Sequence, residues 1–481
     1  MIRRFVPLLA LCASACALGP RHPIPTVAPP PTPDARPIRP ESGPAQTFVA
    51  DAERPADWWT RFGSADLDAL VARALGADND LAVAEAALRQ ARAQASAASG
   101  AFWPQLDASA QSQRVKAPRA LSNPLPDPDQ FLYTLHSAQL SVSYPLDLFG
   151  ANREKRLSAK AAAEVAAARL DAARTTVAAN LTLAVIQNAA LQAQIEAAEQ
   201  SVRDNRELLA ILQKRQALGE VGSADVAAQQ TALATAEGAL PPLVRQQAHQ
   251  RALIAIFIGQ APGAPLPALP RLEALALPGD LPAVAPAAIV ARRPDIRAAD
   301  AQVRGAAADL GAAIAARLPN LQLTGQVGGE STRFSSLLGP DAAVWSLVGA
   351  ATQPLFHGGQ LRAQQKGAQA ALDGAKAQYR AAVLQAFADV DDALTALRTD
   401  AMALDAADRA QAAAARNLAF TRRQLELGGA GTLSVLNASA AEAQARGQLI
   451  QARAARLGDT VAFFQAIGGP DIKKEHASWA G

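Results

Sequence analysis

One plan written twice governs what this chain can become. The phrase "LGEVGSADV" at 218–226 returns as "LGGAGTLSV" at 427–435. Pro145 and Pro354, Gly150 and Gly359, Arg153 and Arg362, Gly219 and Gly428, Gly222 and Gly431, and Gly259 and Gly468 are each separated by 209 residues, so no net insertion divides them. Upstream, Asp80 to Pro104 and Asp295 to Pro319 repeat with an offset of 215, so a loop between the blocks differs by six residues and is expected in solvent. Arg153 to Leu218 contains no proline or glycine, and Arg362 to Leu427 contains only Gly367 and Gly374. At 1.5 Å per residue each run predicts a helix of ~100 Å. No compact domain needs that length.

The first run carries a coiled-coil stripe near its end: Leu191, Ile195, Ala198, Val202, Asn205, Leu209 and Leu212. Its image, Leu404, Ala407, Gln411, Ala414, Leu418 and Leu425, keeps the step with smaller and more polar residues. Gly219 and Gly428 stand as helix C-caps, and Ser223 or Asp225, with Thr432 or Ser434 in the second copy, can begin a returning helix. The repeated phrase is the bend of an antiparallel helical hairpin.

Four segments read as strands. Leu106, Ala108 and Ala110 alternate with polar residues, as do Leu140, Val142 and Tyr144; "LQLTGQV" at 321–327 repeats this, and "VWSLVGAATQ" at 344–353 does so less cleanly. Such strands suit a transmembrane barrel, which four of them cannot close. Closure therefore requires several copies. The stretches "KAPRALSNPLPDPDQF" and "GESTRFSSLLGPD" are expected as loops outside the barrel.

The net charge is +3 and the basic residues are scattered among acidic ones, which speaks against nucleic acid. Aromatics supply only 4%, in keeping with long, closely packed helices. No uninterrupted apolar run of transmembrane length follows the N-terminus. Residues 1–15 have the layout of a secretory signal. "ASAC" at 13–16 resembles a bacterial lipobox, making Cys16 a lipidated first residue, while "ASA" also suits an ordinary signal peptidase. Both cleavages stay open on these residues alone, and it is the family that the rest of the chain resembles that favours lipidation of Cys16. Residues 16–56 form a proline-rich extended segment, 57–270 the first repeat, 271–470 the second and 471–481 a tail.

Catalytic signatures, cofactor motifs and metal spacings are missing. His22, His136, His249, His357 and His476 stand far apart, Asp389, Asp391 and Asp392 read as a solvated helix face, and His357 as a polar junction residue. Trp58, Trp59 and Phe62 read as packing of the extended segment onto the helical body. The expectation is a chain that is not an enzyme.

From "CALGP" at Cys16 through "DWWTRFGSADLDALV", "PLDLFG" and "QPLFHGG" to "AIGG" at 466–469, the sequence resembles a TolC-like outer-membrane factor of the lipidated branch serving multidrug efflux. The resemblance implies a mainly α fold with a membrane β-barrel part, a homotrimer closing a 12-stranded barrel in outer-membrane lipid, and a periplasmic helical tunnel. It implies a passive exit duct, with a type I secretion duct as an alternative of the same architecture and a periplasmic adaptor or scaffold lipoprotein as a rival. It places Gly219, Gly222, Gly428 and Gly431 at the inner end, where a periplasmic adaptor (membrane fusion protein) and an inner-membrane RND-type transporter dock. Family members often carry aspartates just past the second bend. Here Asn437 and Ser434 stand at those places, leaving Asp225 as the acid beside a bend, and these three are the candidate aperture residues; a plain helix-start role for Asp225 is the simpler reading.

Overall fold

The computed structural model describes residues 25–30, 36–49, 57–116, 118, 132–283 and 286–468. Cys16, His22, His476, the proposed signal, the tail and most of the first outer loop lie outside them. The chain divides into two compact units that each draw on both repeats.

The first unit comprises Ala87–Ala166 and Ala298–Tyr379 and holds a four-stranded antiparallel sheet. Its strands are β2 (Gln105–Lys116), β3 (Leu132–Leu146), β5 (Asn320–Ser331) and β6 (Ala343–Thr352), in the order β2-β3-β5-β6. Pro145 falls inside β3, although its counterpart Pro354 follows β6. A central strand tolerates this proline because β2 begins opposite Ser143, so that side of β3 is already an edge at Pro145. The anticipated second outer loop is shorter than its sequence suggested: Gly329, Glu330 and Ser331 extend β5, and two short 3-10 turns fill Phe334–Ser336 and Pro340–Ala342.

The helices of this unit pack through small side chains. Gly305 lies so near Ala161 that an added Cβ would sit 3.4 Å from the alanine methyl, and Val303, Ala308, Leu310 and Leu372 are buried. Alanine and glycine thus set close helix spacing, the physical content of the alanine-rich composition.

The second unit comprises Thr26–Ala86, Ala167–Arg297 and the chain from Arg380 onward. It contains β1 (Thr47–Val49), paired in parallel with β4 (Asp280–Pro282), and helix α1 (Ala65–Ala77). Ser64 caps α1 by accepting from the Leu67 N–H, and Asp78 Oδ1 starts α2 (Asn79–Gly100) by accepting from Asp80 and Leu81. Trp58 is buried and stacks on Phe464 at 5.5 Å, and Phe62 is fully buried, so the aromatic cluster is packing, as its sequence context suggested.

The long helices are α3 (Ala151–Ala217) and α7 (Gln360–Glu426), both of 67 residues; the returning helices α4 (Ser223–Phe257) and α8 (Thr432–Ala466) both have 35. Every boundary repeats at 209 residues. Between β4 and β5 lie α5 (Pro286–Arg292) and α6 (Pro294–Ala315). Leu191, Val202, Asn205 and Leu212 are buried, as are Leu404 and Leu418, so both stripes face inward. The copies differ inside the returning helices: α4 carries Pro241 and Pro242, each lacking a backbone donor, where α8 has Ile450 and Gln451.

Candidate functional site

Strand register converts four separate alternations into one surface. Ala108 pairs with Leu140, Leu140 with Val327, and Val327 with Trp345; the next row runs Leu106, Val142, Gly325 and Leu347. Because side chains alternate, these rows share one face. Leu140, Val327 and Trp345 remain 48%, 57% and 80% exposed, a continuous apolar face left open among the described residues. The opposite face carries Asp107, Ser141, Gln326 and Ser346 in register, interrupted by Val344 and Val348. Among the described residues β2 and β6 each have a strand neighbour on one side only. Their outer margins present unpaired backbone groups, which cannot persist in hydrocarbon.

The two helical bends repeat the same φ angles and backbone hydrogen bonds. Gly219 holds φ 78° and Gly428 φ 75°, the left-handed C-cap conformation that strains a side-chain-bearing residue. Their N–H groups donate to Gln216 and Leu425 carbonyls, and the following N–H groups of Glu220 and Gly429 reach back to Arg215 and Gln424 at 2.9 and 2.8 Å. Gly222 and Gly431 sit at φ −83°, ordinary extended N-caps. Only the first glycine of each pair is therefore required by backbone geometry.

Asp225 Oδ2 accepts from the Gly222 N–H at 3.3 Å, while the Asp225 N–H donates to the Gly222 carbonyl at 3.2 Å. The carboxylate is thus engaged in starting α4. Ser434 is exposed, and its N–H donates to Gly431 in the same way at 3.1 Å. Asn437 lines a cavity of about 680 Å³ with Asn205, Ser201 and Thr231, bounded by α3, α4 and α8. Asp225 is not among its lining residues.

Sequence reading missed three features. Leu218 and Leu427, one residue before the bend glycines, are each 75% exposed. Both stand in the repeated phrase, but only the structure distinguishes an exposed leucine from a packed one. Asp389, read as part of a solvated face, forms a 2.7 Å ion pair with the largely buried Arg293, which also donates to the Ala466 carbonyl at 3.0 Å. Asp147 caps α3 by accepting from Asn152 and Arg153, and the second copy has Phe356 at that place.

Among the described residues no cluster of three or more metal-ligating side chains occurs, and no helix is long and apolar enough to cross a membrane.

The sequence matches a family described as outer membrane efflux protein over residues 70–260 and 285–469. The pyoverdine export outer membrane protein OpmQ of Pseudomonas putida is 30% identical, with 91% of this chain and 94% of the relative aligned. Outer membrane protein OprJ of Pseudomonas aeruginosa is 29% identical over 96% of this chain and 94% of its own length. Among solved structures, the outer-membrane channel OprN superposes with a TM-score of 0.86 at 26% identity, covering 94% of this chain and 99% of that one.

Proposed function

The chain belongs to the outer membrane efflux protein family, and from that membership we propose how its sheet, bends and N-terminus build an exit duct. It is an outer-membrane channel with the TolC-type fold, serving efflux. The observation that carries the proposal is the open sheet: four strands, one continuous apolar face and two unpaired margins. In the proposed assembly three copies join β6 of one to β2 of the next, giving a 12-stranded barrel whose apolar face meets lipid. The polar face then borders water.

The helical hairpins continue the duct into the periplasm, and the bends at Gly219 to Gly222 and Gly428 to Gly431 receive the hairpins of a periplasmic adaptor. Exposed Leu218 and Leu427 supply an apolar contact at each bend. An RND-type inner-membrane transporter supplies the energy, and the duct itself conducts passively without catalysing a reaction. Asn437, Ser434 and Asp225 are the candidates for the aperture rim; neutral Asn437 and Ser434 would attract cations less than carboxylates. Cys16 carries the lipid that anchors the mature N-terminus. A small organic molecule is the proposed cargo, supported by the export role in the name of the OpmQ relative.

The deciding measurement is the mass of the protein extracted from outer membranes in mild detergent, combined with efflux in a deletion strain. A trimeric, heat-dissociable species and restored efflux on complementation are expected. A stable single subunit with a sealed sheet would overturn the reading.

A further inference from the structure

A cavity of about 280 Å³ lies within the second unit, beside Gly43 and Pro44 of its N-terminal segment. Its walls include Leu272, Leu275, Leu277, Leu404 and Leu457, and all but Leu277 are themselves buried. Such a wall calls for an aliphatic occupant. The fold sets a cation in it: Arg456, only 2% exposed.

Arg456 Nη2 donates to the Pro44 carbonyl at 2.8 Å, but Nε and Nη1 have no partner among the described residues. Those two atoms carry three of the five guanidinium N–H donors. Burying a cation with donors unspent is strongly unfavourable unless an acceptor arrives. Asp405 and Asp400 are near enough to be felt electrostatically, yet neither accepts from Nε or Nη1. Asp405 instead holds the N–H groups of Glu41 and Ser42 at 3.0 and 2.6 Å. Among the residues lining the cavity Arg453 adds a second positive charge and Glu273 one negative charge, with Asp405 and Asp400 standing behind the wall.

We propose that this cavity binds an amphiphilic carboxylate, its head accepting from Arg456 and its short aliphatic chain lying among the leucines. A bare inorganic anion would leave the leucines unused. A neutral hydrocarbon would leave the guanidinium unpaired. The site is built within one chain, so the inference stands independently of the duct reading.

The test titrates purified full-length protein in non-ionic detergent with carboxyl-labelled octanoate, using octanol for the tail alone and acetate for the head alone. Saturable octanoate binding is expected, with both controls weaker by at least roughly tenfold. Arg456→Met should lose at least roughly tenfold in octanoate affinity. Leu277→Trp should lose as much, because it fills the cavity from a partly exposed position while keeping the guanidinium; it decides the matter if the arginine variant fails to fold. Octanol binding as tight as octanoate, unaltered octanoate affinity in Leu277→Trp, or no saturable binding to the parent protein would overturn the proposal.

Discussion

The side-chain amide of Gln229 donates both to the Asn205 carbonyl at 2.9 Å and to Asn205 Oδ1 at 3.0 Å, pinning α4 to α3 with both residues buried. The residues 209 positions later are Ala438 and Ala414, and there the hairpin is joined through Leu418, Val435 and Ala438. One bend is therefore backed by a polar lock and the other by an apolar seam. Gln229→Ala strands the Asn205 amide oxygen and should cost about 1–3 kcal/mol. Hydrogen exchange should rise across residues 200–235 and stay unchanged across 410–445. Equal loosening of both hairpins would contradict the lock.

The four bend glycines divide into two kinds. Gly219→Ala and Gly428→Ala force a side chain into positive φ and should each cost about 1 kcal/mol. Gly222→Ser and Gly431→Ser replace extended N-caps with a better capping residue and should be neutral or stabilising by roughly a few tenths of a kcal/mol. Thermal melts of the four variants measure the difference.

The sheet has a lipid face and a water face only if its register is right. Val327→Lys places a charge in the apolar row and should cost about 2–4 kcal/mol near mid-membrane, whereas Gln326→Lys on the opposite face should be tolerated. The amount of assembled oligomer in the outer membrane reads this out. Equal loss for both variants would reject the face assignment.

Burial, together with a hydrogen bond to Asp400 and its negative charge, raises the Asp459 carboxyl to about 7. The folded protein therefore holds a proton that the unfolded chain releases near its ordinary value of 3.8. The resulting stability is fully present below about pH 4, declines as pH rises and is gone above about pH 7. After discounting for partial exposure the effect is about 1–2 kcal/mol. Asp459→Asn should flatten the stability curve between those pH values, as followed by chemical denaturation.

The helices, their matched lengths and their bends were legible because they follow from local rules. An unbroken run fixes α3, the Leu191 to Leu212 stripe fixes its buried side, and a glycine must cap it where the chain turns back. The duplication at 209 residues gave each of these readings a second, independent instance. Alternation likewise marked four strands, and the four that form carry the apolar and polar rows where that alternation put them.

What depended on long-range pairing was not legible. No local pattern indicates that Leu140 meets Val327, that Asp389 neutralises Arg293, or that Gln229 rather than its image Ala438 makes a polar lock. Nor does the sequence around Arg456 announce a buried guanidinium, since its environment comes from Pro44, Leu404 and Leu272, far apart along the chain. Periodicity fixes which side of an element is apolar, whereas only the folded backbone decides which distant side chain shares that side and whether water can reach it.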